Sequence, residues 1–168
     1  NDVFAKTSND QRQRTYSKEV WKKNSVYTPQ FVLDTKEYRQ WFKTKDLPKF
    51  SKKYAGNLEV TFNNKKDKIL VNYSNKNIKN KDVIINIVLL GFDYKIAVKK
   101  GENSNKVLKH DFVVLKHIKK DTIIKDNKLQ NTLQFPKLKN VAREQAFVVW
   151  ISDKKHKQLQ AVGNYIKR

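Results

Sequence analysis

The chain has 168 residues, 38% of them hydrophobic, enough for one large or two small domains with a buried core; with no cysteine it excludes disulfides, thiolate catalysis and Cys-based metal sites within itself. Lys and Arg outnumber Asp and Glu by 37 to 16, a net charge of +21 that attracts nucleic acid, anionic lipid or acidic partners without choosing among them. The excess is lysine, with arginine only at positions 12, 14, 39, 143 and 168, and it comes with abundant asparagine, so it reads first as compositional drift on solvent-facing positions.

No apolar run approaches the roughly 20 residues of a bilayer span. The N-terminus lacks the charged and apolar regions of a signal peptide, so a mature, processed or truncated chain is expected, or one that never carried a signal. Ser8 with Gln11 has capping-box spacing, and Gln11 to Lys23 runs without Pro or Gly, carrying Tyr16, Val20 and Trp21 at near-helical intervals; this predicts a helix. In SVYTPQFVLD, residues 25–34, Pro29 stands before an apolar run. Its fixed φ and missing N–H suit the first residue of a strand, so a strand is expected over Phe31 to Asp34, and a structural X-Pro bond of this kind is often cis. Thr35 to Phe42 admits a helix through Tyr38, Trp41 and Phe42, or a strand through Tyr38, Gln40 and Phe42 returning from a tight turn at Asp34 and Thr35. Asp46 can cap a short helix that tolerates Pro48 and ends near Tyr54 and Gly56.

Beyond Gly56 the pattern becomes alternation. Leu58, Val60 and Phe62, a polar turn, then Ile69, Val71 and Tyr73 make a hairpin with one buried face. Val83 to Leu90 reads as a strand buried on both faces. Further strands are expected at Phe92 to Val98, Phe112 to Ile118, Thr132 to Phe135, Ala146 to Ser152 and Leu159 to Ile166, a spacing that suggests an antiparallel sandwich. Ser74 to Asp82 and Lys119 to Lys128 read as the most mobile polar connections. No internal repeat or low-complexity tract is present.

RQRTYSKEVWKKNSVYTPQFVLD and KKGENSNKVLKHDFVV together resemble the bacterial secreted thioredoxin-like family known as domain of unknown function 1223. The resemblance covers nearly the whole chain from about Phe4. Tyr27, Thr28, Pro29 and Gln30 match that family's Tyr-Thr-Pro-Gln step before its third core strand; Gly101, Glu102, Asn103, Leu108 and His110 match its Gly-Glu-Asn loop and Leu-x-His step. It implies a thioredoxin-like unit followed by a β-rich domain, in the periplasm or cell envelope. A cis-proline loop would offer backbone groups to an extended peptide beside a Cys pair whose thiolate is the nucleophile. Two departures stand out. Relatives usually place Gly after Asp34, where this chain has Thr35, a β-branched residue that is costly at positive φ, so a wider turn is expected. The family's opening strand, Cys-x-x-Cys helix and second strand would lie before Asn1, leaving Phe31 to Asp34 with unpaired edges unless another segment completes the sheet.

The candidate sites therefore divide in two. Tyr27, Thr28, Pro29 and Gln30 are the candidate docking residues, against the plainer reading of a turn that uses the fixed φ of proline. Gly101, Glu102, Asn103 and His110 form a candidate polar loop cluster, with His110 titrating near neutrality, against the plainer reading of a loop hydrogen-bonded onto a sheet. His110 and His117 lie seven apart on what reads as one strand, so they face opposite ways and make no metal pair. His156, among Lys154, Lys155 and Lys157, reads as a solvated turn. Lys99, Lys100, Lys106, Lys109, Lys116, Lys119 and Lys120 run among Phe92, Tyr94 and Phe112 as a nucleic-acid groove would. Alternation buries several of those aromatics, however, and arginine is missing from the stretch, which disfavours nucleic acid. Phosphate-loop, HExxH, Gly-x-Ser-x-Gly and EF-hand patterns are absent, so no catalytic residue, metal or cofactor is expected.

The expectation is an α+β chain: residues 1–56 as the C-terminal part of a thioredoxin-like domain and 57–168 as an antiparallel β-sandwich-like domain. Its partner would be a protein or peptide, either the missing N-terminal segment or another subunit. Thiol-disulfide chemistry follows only if a Cys-x-x-Cys segment exists. The alternatives are a non-enzymatic binding or scaffold subunit and a basic nucleic-acid-binding module.

Overall fold

The computed structural model describes residues 6–46, 53–63, 67–101, 103–135 and 144–166. Among the described residues, helix is confined to the N-terminal region: α1 (Thr7–Thr15), a π-helical turn (Tyr16–Val20) and α2 (Trp41–Thr44), with the hairpin strands β1 (Val32–Leu33) and β2 (Lys36–Glu37) between them. The expected helix is present, but its cap is Lys6 rather than Ser8, and no side chain caps it. α1 buries none of its own residues, so polar and aromatic contacts dock it rather than an apolar stripe. The segment after Thr35 is both strand and helix: it returns as β2 and then winds into α2. The short helix expected between Asp46 and Tyr54 falls largely on residues 47–52, outside those described.

The rest is antiparallel sheet. β3 (Asn57–Asn63), β4 (Lys68–Ser74) and β9 (Lys128–Gln134) form one sheet in the order β3-β4-β9. β5 (Lys81–Gly91), β8 (Val113–Ile124), β10 (Gln145–Asp153) and β11 (Gln158–Tyr165) form a second in the order β11-β10-β5-β8, and β6 (Tyr94–Ala97) with β7 (Val107–His110) makes a separate hairpin. The predicted hairpin forms, with Leu58 opposite Tyr73, Val60 opposite Val71 and Phe62 opposite Ile69.

The inner faces of the two larger sheets share one core. Ile69, Val71 and Tyr73 from one meet Val83, Ile85, Ile87, Val149 and Ile151 from the other. Each such aliphatic side chain contributes roughly 1.5–3 kcal/mol through burial. Residues on the outer face of β5 and β10, among them Asn86, Val88 and Trp150, are buried as well. Arg12 of α1 covers that face, its guanidinium 5.1 Å from the Trp150 ring, which gives β5 the two buried sides its composition suggested.

Three expectations change. Lys119 to Lys128 is not a loose connection: β8 runs on to Ile124 before a tight turn closed by the Lys125–Lys128 bridge. Ser74 to Asp82 is pinned rather than slack, because the Asn127 amide points at the carbonyls of Asn75, Lys76 and Ile78 (3.0–3.2 Å) and Asn75 is buried. His110 and His117 do not share a strand: the chain turns at Asp111 and Phe112, whose φ is +57°, placing His110 on β7 and His117 on β8.

Candidate functional site

The Thr28–Pro29 peptide bond is cis and lies just before β1. Among the described residues β1 pairs with β2 alone, Leu33 opposite Lys36, so Asp34 and Thr35 form a two-residue turn with φ of +45° and +69°. This corrects the expected wider turn. Thr35 is buried; its hydroxyl accepts from the Gln158 N–H at 3.1 Å, and its carbonyl accepts from Trp21 Nε1 at 2.8 Å. Those two bonds offset the cost of a β-branched residue in the left-handed region and tie the hairpin to β11.

The Tyr27 to Gln30 step is held from α1. Gln13 Nε2 donates to the Tyr27 carbonyl at 2.9 Å and lies 3.2 Å from Gln30 Oε1, while Gln30 Nε2 donates to Glu37 at 3.2 Å. Glu37 in turn pairs with Lys23 at 2.6 Å and with Arg39 at 2.9 Å. The hydrogen bonds from Arg39 and then Lys23 lower its pKa from 4.5 to about 2. The Tyr27 hydroxyl is buried, and its ring carries Arg39 at 5.1 Å. Thr28 and Gln30 reach the wall of a cleft of about 560 Å³ that Arg12, Gln13, Tyr16, Trp21, Val32 and Gln158 complete.

On the other side of α1, a larger cleft of about 710 Å³ lies between the helix and the first half of β8. Arg12 and Tyr16 line both. His117 sits in the larger one, its ring 5.3 Å from Trp150 and its Nε2 3.2 Å from Asn86 Oδ1. The Asn86 amide nitrogen faces the Ile84 carbonyl and Ser152 Oγ, each at 3.2 Å, so the Asn86 oxygen is the acceptor and His117 Nε2 carries the proton. Desolvation, then the Arg12 and Lys119 charges, lowers the His117 pKa from 6.5 to about 4. The imidazole is therefore neutral at physiological pH.

The second predicted cluster is not brought together. Gly101, with φ of +91°, and Asn103 occupy the turn between β6 and β7, where Asn103 Oδ1 lies 3.3 Å from Lys106 Nζ. His110 stands at the opposite end of that hairpin, paired with Tyr94. Glu102 lies outside the described residues. His156 is no solvated turn: its ring packs 5.8 Å from Tyr16, and Nε2 is 3.7 Å from Glu19. Phe92 is buried against Phe112 and Tyr165, so the aromatics among the basic residues do not form an open stacking row. Sequence reasoning passed over Arg12 and His117 as site residues. The available signal was the rarity of arginine in a lysine-rich chain.

A family model described as "Protein of unknown function (DUF1223)" matches residues 1–152. No curated protein matches the chain significantly. Among solved structures, a family 76 glycoside hydrolase from a bovine Bacteroides thetaiotaomicron strain is similar over 65% of this chain and 19% of its own length, at 14% identity and a TM-score of 0.31. The chain thus spans under a fifth of that enzyme, and a likeness this slight bears on neither fold nor activity.

Proposed function

The chain belongs to the DUF1223 family, and on that premise we propose that it is the docking portion of an envelope-exported, thioredoxin-like protein, holding an extended protein segment against Tyr27, Thr28, Pro29 and Gln30. Residues 1–56 are the C-terminal part of the thioredoxin-like unit, and residues 57–168 are its antiparallel β partner. The observation that carries this reading is the placement of Thr28 and Gln30 on the wall of the 560 Å³ cleft, with the Tyr27 carbonyl fixed by Gln13. A backbone held this way presents its polar groups in a constant geometry, which suits capture of a strand-like peptide. The β1–β2 pair, a two-stranded sheet on its own, supports completion by a further segment. Thiol-disulfide exchange then requires a Cys-x-x-Cys pair contributed by that segment, since this chain has no thiol.

The second reading is a non-enzymatic scaffold subunit, favoured by the same absence of cysteine. Nucleic acid is disfavoured by the buried Phe92. A reduced, alkylated unfolded protein immobilised on a sensor tests docking: the wild-type chain should bind, and Thr28→Trp, which fills the cleft, should not. Equal binding by both overturns the reading. Sequencing the gene upstream of Asn1 and assaying the whole product for disulfide reduction separates redox work from scaffolding.

A further inference from the structure

Arg12 is held in an unusual way for a half-buried cation. Its guanidinium lies 5.0 Å from the Tyr16 ring centroid and 5.1 Å from that of Trp150, with one terminal nitrogen 3.4 Å from the Tyr16 hydroxyl. Among the described residues it forms no ion pair with a carboxylate. Two aromatic faces fix the plane of the group, while most of its five N–H donors stay unspent. A pre-oriented guanidinium of this kind lacks only a planar, two-oxygen acceptor.

The surroundings are complementary to a negative ligand. Lys6, Lys116 and Lys119 line the larger cleft with Arg12, and its single lining carboxylate, Glu19, faces His156 at 3.7 Å. Lys6 is occupied by the Leu115 carbonyl at 2.8 Å, which leaves Lys116 and Lys119 as its neighbouring cations. Asp10 borders the smaller cleft and is exposed. His117 faces Arg12 and Lys119 and, being neutral, neither adds to nor cancels the positive field.

We propose that Arg12 is a carboxylate-binding residue: it receives an acidic side chain or terminus of a peptide lying in the cleft between α1 and β8, with Lys116 and Lys119 supplying the attraction around it. Arg12 also borders the smaller cleft, so the Thr28→Trp variant is carried alongside to tell this site from docking at Thr28 and Gln30. A fluorescein-labelled hexapeptide of alternating Glu and Thr, followed by anisotropy, is the probe. Arg12→Gln should weaken binding about tenfold to a hundredfold, the scale of a charge-assisted hydrogen-bonded pair. Lys95→Gln, an identical charge change on exposed β6, should weaken it less than about twofold, as a change in net charge alone does at moderate salt. Arg12→Lys keeps the charge and loses the fork, so it should bind several-fold more weakly; it carries the test if Arg12→Gln fails to fold. Free acetate should compete better than chloride at equal ionic strength, because only the carboxylate offers two oxygens to the fork. Equal weakening by Arg12→Gln and Lys95→Gln, wild-type binding by Arg12→Lys, or equal competition by chloride overturns the proposal. So does binding abolished by Thr28→Trp yet untouched by Arg12→Gln, a result that leaves the other docking reading standing.

Discussion

His117 makes acid sensitivity measurable at one residue. Its pKa lies at about 4 in the folded chain against 6.5 ordinarily, so as pH falls the unfolded chain takes up this proton first. The sign follows directly: the contribution of neutral His117 is complete above about pH 6.5 and is lost progressively as pH falls through about 4. At about 1.36 kcal/mol per pH unit, the ceiling is roughly 3.4 kcal/mol. The ring is only partly buried, so solvent screening reduces the expected loss to about 1–2 kcal/mol. His117→Gln retains a donor for Asn86 and cannot titrate. Urea unfolding of both chains between about pH 8 and pH 5 should therefore show wild type losing about 1 kcal/mol more than the variant. The other two histidines are common to both proteins and cancel in the difference. Parallel stability curves, or an NMR titration of the His117 ring with an ordinary midpoint, would refute the packing described around Arg12 and Trp150.

Thr35→Val keeps the shape and β-branching but removes the acceptor for the Gln158 N–H, so chemical denaturation should show a loss of about 1–2 kcal/mol. A neutral result would mean that this bond does not anchor the hairpin. Gly56 has φ of +89°, and a Cβ there would stand 2.6 Å from the Ser74 carbonyl and 2.8 Å from the Tyr73 ring. Gly56→Ala should therefore lower the melting temperature by several degrees, on the order of 2 kcal/mol; an unchanged melt refutes the close approach. Glu37→Gln should cost about 1 kcal/mol at neutral pH through its contacts with Lys23 and Arg39, measured by denaturation. Because its folded pKa of about 2 lies below 4.5, the benefit is complete above about pH 4.5 and disappears toward pH 2, where the two proteins should converge.

Much of the sheet was legible because burial on one face leaves a two-residue period. Leu58, Val60 and Phe62 against Ile69, Val71 and Tyr73 is the clearest case, and the structure pairs the two strands as a hairpin. β7 escaped notice because VLKH is short and half polar, and the far end of β8 because Lys119, Lys120 and Asp121 look like a loop when they sit on a strand facing solvent. The turn at Thr35 was misjudged for a physical reason: local conformational cost was visible in the sequence, whereas the Gln158 and Trp21 partners that offset it come from distant or separate segments. The same holds for the candidate site. Pro29 announced itself by its chemistry, but nothing local tells an arginine on a polar helix that Trp150 will lie beneath it.

One of the two edge strands of the larger sheet, β8, displays Lys116, Lys119 and Lys120, and the Lys6 ammonium plugs the Leu115 carbonyl at its near end. Two such borders meeting side by side would set lysine against lysine. Like charge along this edge therefore opposes pairing with a second copy, and concentrated salt weakens that opposition.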